Sequence, residues 1–177
     1  MWGRLGQLPP VHAPRNAKYA VLVPLYADAE GAVRIILTKR PETMRTHPGD
    51  VVFPGGACEN GEGPYEAATR EAWEEIRLPE AAVDEVIGGL TPVTTRSRTR
   101  LIVPIVVKVT RPAELVPDPA EVEAIIEPTL SDLLDEQRWS TSDYFGHTLW
   151  FYEFAEGTLW GATAFIVREL LGFLRDG

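Results

Sequence analysis

Glu71, Glu74 and Glu75 lie close together in a segment that reads as helical, directly after the glycine-rich run Gly55-Gly56-Ala57-Cys58-Glu59-Asn60-Gly61-Glu62-Gly63. At ~100° per residue, the three carboxylates fall within about 100° of one another around the axis. Like charges at this spacing repel and destabilise a helix. A cation would relieve that cost. Hard, oxygen-only ligands suit Mg²⁺ or Mn²⁺ rather than zinc.

Such a cluster needs a helix to hold it and a sheet to hold the helix. Pro64 stands where the first helical position should be, with Gly63 as a weak cap. Tyr65, Ala68, Ala72 and Ile76 form the apolar face, with the three glutamates roughly opposite. The helix should therefore lean on a sheet and show its acids to a cleft.

Strand patterns surround it. Residues 19–26 read as a strand in which Pro24 suggests an edge or a bulge. A turn at 28–31 and a second strand at 33–38 predict a hairpin. A polar loop at 41–50 leads to a short strand at 51–53, and Pro54-Gly55-Gly56 should break the chain sharply. Residues 86–90 and 101–109 read as strands, the second apolar enough to be central except for Pro104. Residues 122–126 extend the sheet or bridge to a helix. Leu130, Leu133 and Leu134 mark a helical turn, and residues 148–154 a strand. Ala164, Val167, Leu171 and Leu174 mark a C-terminal helix. The economical arrangement is an α/β (α+β) fold with a mixed sheet sandwiched between helices.

The 177 residues suit a single domain, residues 1–177, with the proline-containing residues 1–15 as an N-terminal arm. At 45% hydrophobic the chain can build a sizeable core. With 26 acidic and 17 basic residues the formal charge is −9, which disfavours nucleic acid as a partner. A small phosphorylated ligand could still be held by a local basic patch or through metal. Cys58, the single cysteine, allows neither an intramolecular disulfide nor a cysteine-based zinc site, and fits a reducing compartment. The opening residues carry no signal-peptide pattern, and no window has the apolar length of a membrane span. The expectation is a cytoplasmic protein with no membrane partner.

The pattern G-x5-E-x7-R-E-U-x-E-E-x-G-U, with U aliphatic, is matched by Gly56, Glu62, Arg70, Glu71, Ala72, Glu74, Glu75 and Leu78. In this the chain resembles the Nudix hydrolases. One position departs: Arg77 stands where the family has the glycine that ends the helix. Arg77 should therefore end it differently, with Pro79 helping. The resemblance implies metal-dependent hydrolysis of a nucleoside diphosphate linked to another moiety. It implies Glu71, Glu75, Glu74 and the carbonyl of Gly56 as metal ligands, and Glu74, Glu71 and Arg70 as the catalytic set. Within that set Glu74 is a ligand or the base. Arg70 and Glu62 look more like an ion pair holding loop to helix. Family members are often dimers, so a homodimer is implied too. Within the family, NADH, ADP-ribose or a nucleoside triphosphate are rival substrates. A silent, nucleotide-binding domain is the rival from another class, disfavoured by the intact glutamate set.

A narrower resemblance lies upstream. Leu37, Thr38, Arg40, Arg45, Gly49, Phe53, Pro54, Gly55 and Gly56 match the signature L-L-T-x-R-(S/A)-x3-R-x3-G-x3-F-P-G-G of the coenzyme A pyrophosphatase branch. Ile36 replaces a leucine and Pro41 a small residue. The late Trp160-Gly161-Ala162-Thr163-Ala164 is also similar to that branch. The resemblance implies a substrate of the coenzyme A class, cleaved to 3′,5′-ADP and (acyl-)4′-phosphopantetheine. The 3′-phosphate of that substrate asks for extra positive charge, and Lys39, Arg40, Arg45 and Arg98 are the candidates to bind it.

Blander readings stand beside these. Arg96, Arg98 and Arg100 alternate, which equally describes solvent-facing charges on a strand. His47 reads as a hydrogen-bonding bystander and Cys58 as incidental. Glu121 is the candidate for an extra ligand or base from outside the motif, against the plain alternative of an exposed acid. Trp160 is expected in the core beneath the last helix rather than stacked on adenine.

Overall fold

The computed structural model describes residues 1–95 and 100–175. Along the chain these form α1 (Trp2–Leu5), β1 (Tyr19–Ala27), β2 (Val33–Ile35), β3 (Leu37–Lys39), β4 (Val51–Val52), β5 (Gly55–Ala57) and α2 (Pro64–Ile76). There follow β6 (Val83–Gly89), β7 (Val93–Thr94), β8 (Leu101–Val109), β9 (Ala124–Ile126) and α3 (Leu130–Leu134). The last elements are β10 (Trp139–Tyr144), β11 (His147–Glu153), β12 (Thr158–Trp160) and α4 (Gly161–Arg175).

The main sheet runs β2-β1-β8-β6, with β5 added to β1 and β7 to β8. β1 and β8 are parallel and central; their other pairings are antiparallel. Alternation along β1 sends Ala20 and Leu22 to the α2 side, beside Ala68, Ala72 and Ile76. Val23 and Leu25 go to the other side, beside Ile166, Val167 and Leu170 of α4. The sheet is thus sandwiched between α2 and α4, as expected.

Pro24 and Pro104 sit in central strands, not at an edge or bulge, and one device accommodates both. On its antiparallel side β1 pairs with β5 up to Val21 and with β2 from Leu25. The Pro24 carbonyl accepts from Ile36 N–H on that side, so the missing donor falls where the partner changes. Pro104 repeats this in β8, between β7 at Ile102 and β6 at Ile105, its carbonyl accepting from Leu90 N–H.

The strand expected at 33–38 is two strands in different sheets. β2 pairs with β1, and beyond Ile36 β3 joins β4 and β9. The glycines expected to break the chain instead form β5, antiparallel to the start of β1. A Cβ on Gly55 would lie 2.3 Å from the Ala20 carbonyl oxygen, so only glycine permits this approach. The N-terminal arm is packed, with Leu5 and Leu8 buried and the Pro9 carbonyl accepting from Gly89 N–H. The hairpin partner β10 and the short β12 were not anticipated; β10 has one buried residue, Trp139, so it lacks the alternation that marks a strand.

Candidate active site

Helix α2 begins at Pro64 with Gly63 as cap, as the sequence predicts. It does not present its three glutamates alike. Glu75 is buried, 6% exposed, Glu71 is half-buried and Glu74 is exposed. The reason is geometric. Glu71 and Glu75, four residues apart, both lie against β5 and the loop at 110–123, whereas Glu74 turns to solvent. That loop is tied to the helix end by Val116 N–H to the Ile76 carbonyl and Asp118 N–H to the Glu75 carbonyl. The tether carries Glu121 over the pair. Carboxylate oxygens of Glu71, Glu75 and Glu121 all lie within 4.8 Å of one another, the one such group among the described residues. The trio the structure assembles thus includes Glu121 and leaves out Glu74.

The electrostatics show how poorly this site tolerates its own charge. Burial, then Glu71 and Glu121, push the Glu75 carboxyl up to about 8, against the pull of the Gly55 N–H and Arg40. Burial also raises Glu71, opposed by Arg70. Three crowded oxygen donors, one of them buried, fit a hard divalent cation, whose charge would return them to the ionised state. Gly56 belongs to the same corner: a Cβ there would sit 2.5 Å from Glu71 Oε1.

Arg70 binds the loop to the helix. Its Nε donates to Glu62 Oε1 at 2.7 Å and its Nη2 to Glu62 Oε2 at 3.1 Å and to the Ala57 carbonyl at 3.0 Å. Its Nη1 reaches Glu71 Oε1 at 3.1 Å and Glu74 Oε2 at 3.3 Å. Arg70 in turn holds the Glu62 carboxyl below its usual range. This side chain spends its donors on the protein, orienting Glu71 and Glu74.

Arg77 ends the helix as a glycine would. It takes left-handed φ 57° and ψ 32°, and Leu78 N–H donates back to the Ala72 carbonyl. Its Nη1 also donates to the Trp73 carbonyl at 3.2 Å, and its guanidinium lies 5.3 Å from the Trp73 ring centroid. The expected different ending, aided by Pro79, is not what is found.

Beside β5 lies a cavity of about 180 Å³. Gly55 and Gly56 form one wall, Arg40, Thr46, His47 and Asp50 to Phe53 contribute another, and Trp160 to Thr163 a third. Arg100 lines it, 5.0 Å from the Tyr19 ring centroid. Trp160 is therefore a cavity wall rather than a core residue. Its Nε1 donates to Asp50 Oδ1 at 3.0 Å, and its ring stacks on Phe151. Asp50 also faces His47, with Nδ1 to Oδ2 at 3.3 Å. Sequence reasoning passed over Asp50 because an acid in a polar loop carries no pattern.

The expected basic set is divided. Arg40 lines the cavity. Lys39 does not: Glu123, whose N–H donates to the Lys39 carbonyl, captures its ammonium at 3.2 Å, with Glu42 at 3.5 Å. Arg45 is exposed on the 41–50 loop. Arg96 and Arg98 lie outside the described residues.

This fold and motif find counterparts among known proteins. The NUDIX domain family matches residues 17–149. Nudix hydrolase 22, chloroplastic, of Arabidopsis thaliana is 39% identical over 163 residues, covering 86% of this chain and 54% of that protein. The chain thus spans about half the length of that relative. The uncharacterized Nudix hydrolase NudL of Photorhabdus laumondii is 34% identical over 172 residues, covering 93% of this chain and 90% of that protein. Among solved structures, a MutT/nudix family protein from Enterococcus faecalis superposes with TM-score 0.60 over 99% of this chain and 67% of that one, at 15% identity. RenU, a Nudix hydrolase from M. smegmatis, gives TM-score 0.54 at 22% identity, covering 67% of this chain and 74% of that one.

The chain belongs to the Nudix family and has the Nudix fold. It is a Nudix hydrolase, of a family that acts on small nucleotide-derived substrates and generally needs divalent metal. Among the described residues, no helix is long and apolar enough to cross a membrane.

Proposed function

We propose that this Nudix hydrolase cleaves the pyrophosphate of coenzyme A or its thioesters, releasing 3′,5′-ADP and (acyl-)4′-phosphopantetheine. One observation carries the reading. The two segments that resemble the coenzyme A branch, 36–56 and 160–164, lie far apart in sequence yet line one cavity, and Gly56 of that cavity abuts the glutamate cluster.

Glu71, Glu75 and Glu121, with the Gly56 carbonyl, would hold Mg²⁺ or Mn²⁺. When bound, the ion offsets the pyrophosphate charge and lowers the pKa of a coordinated water. Arg70 fixes Glu71 and Glu74 in place. Glu74, outside the trio and open to solvent, takes the proton from the attacking water. Arg40 and Arg100 bind phosphate oxygens along the cavity. Lys39 is left out, held by Glu123 and Glu42. Residues 1–177 work as one domain, which we place in the cytoplasm, and a homodimer belongs to the same reading.

The test is direct. Incubate the purified protein with coenzyme A, NADH, ADP-ribose and a nucleoside triphosphate, each with Mg²⁺ or Mn²⁺, and identify products. Formation of 4′-phosphopantetheine and 3′,5′-ADP supports the assignment. Rapid turnover of another substrate, with none from coenzyme A, overturns it.

A further inference from the structure

A second cavity adjoins the first. Thr95, Trp160, Gly161 and Ala162 line both, so the start of α4 is a partition between them. The outer cavity has a different character. Pro92, Val93, Leu149 and Phe165 line it with Thr91, Thr94, Tyr144 and His147, and among the described residues its wall holds neither Arg nor Lys.

Phe165 is the informative residue. Helix α4 buries Thr163, Ala164, Ile166, Val167, Leu170 and Leu171 against the core. Phe165 points away from that face and remains 53% exposed. A large aromatic left in water at a concave, apolar wall marks a surface that something covers. Space is open beside Gly161, which lines both cavities: a Cβ there would meet no atom within 4 Å.

We propose that this outer cavity is an acyl-chain site. It takes the apolar tail of a thioester whose pyrophosphate lies at the glutamate cluster, the chain passing Trp160 and Gly161 to reach Leu149 and Phe165. This rests on the coenzyme A reading of the inner cavity. The observation behind it is the order of the walls: the glutamate cluster and the cavity lined by Arg40 and Arg100 first, the tryptophan partition next, and last a wall that among the described residues is mostly apolar and free of Arg and Lys. An acyl thioester of coenzyme A has its groups in that same order. An unacylated coenzyme A would leave Phe165 uncovered.

Chain length is the probe. Each buried methylene contributes at most about 0.8 kcal/mol, or about 4-fold in kcat/KM. Octanoyl-coenzyme A should therefore be cleaved with kcat/KM at least about tenfold above that of coenzyme A. Phe165→Asp and Leu149→Asp should each remove that advantage and leave turnover of coenzyme A itself unchanged; circular dichroism and size-exclusion chromatography check folding and oligomeric state. Coenzyme A cleaved with no gain for the octanoyl thioester overturns the acyl site alone. So does an equal loss on both substrates in the variants. A change of oligomeric state with unchanged chain-length preference assigns Phe165 to a contact between copies and overturns it as well. No 4′-phosphopantetheine from either substrate overturns the acyl site and the coenzyme A reading together.

Discussion

The glutamate corner and the cavity beside it are built in opposite ways. The corner is nearly all local: one loop and one helix, 55–78, supply its glycines, its arginine and two of its three clustered carboxylates. The cavity is assembled from β1, the 41–50 loop, the start of β8 and the head of α4. A local site can be held by one ion-paired clamp, Arg70, and used on many substrates. A site gathered from distant segments can change one wall at a time. The chemistry should therefore reside in the corner and the choice of substrate in the walls.

Variants can break that division. Glu75→Gln should lower kcat by ~10²–10³-fold on any substrate the protein cleaves, with the fold intact by circular dichroism. Unchanged turnover would remove Glu75 from the cation site. Arg40→Ala removes the phosphate contact proposed for this side chain and should cost ~10–100-fold in kcat/KM, mostly through KM. A pure kcat effect would move Arg40 from the walls to the chemistry.

The corner also predicts a pH signature. The Glu75 carboxyl is raised in the metal-free fold to about 8, above its ordinary value of 4.5. The native state then holds a proton that the unfolded chain has released across that interval. Stability from this group is complete below the ordinary value and is lost as pH rises through about 8. Melting of the chelated protein should show Tm falling across that window, and added Mg²⁺ should restore most at the alkaline end. A flat Tm, or equal metal effects at both ends, would show that Glu75 is not the strained group. The smallest effect lies at the helix end. Arg77→Gly relieves a left-handed arginine at a cost of two weak contacts to Trp73, and should raise Tm by about 2–4 °C. A drop would mean those contacts outweigh the backbone strain.

The same contrast decides what could be read beforehand. The helix 64–76, its cap and its apolar face were legible because periodicity and a contiguous motif encode them. The split of the three glutamates was not, since the angular spread of Glu71, Glu74 and Glu75 does not say which side the sheet and the 110–123 loop will cover. Glu121 stands in the sequence as no more than a candidate; what brings it to Glu75 is a pair of backbone hydrogen bonds from Val116 and Asp118, which no side-chain pattern reports. Pro24 and Pro104 misled in an instructive way. Proline excludes a ladder hydrogen bond on one side only, and a strand that changes partners has a place for it. The capture of Lys39 by Glu123 joins residues 84 positions apart, beyond any local reading.

The division of labour is tested most directly by steady-state kinetics of the wild type, Glu75→Gln and Arg40→Ala on coenzyme A and on dephospho-coenzyme A, which lacks the 3′-phosphate. Glu75→Gln should depress both substrates by the same factor, while Arg40→Ala should erase most of the preference for the extra phosphate. Equal losses on both substrates in Arg40→Ala, or a substrate-dependent loss in Glu75→Gln, would contradict the account.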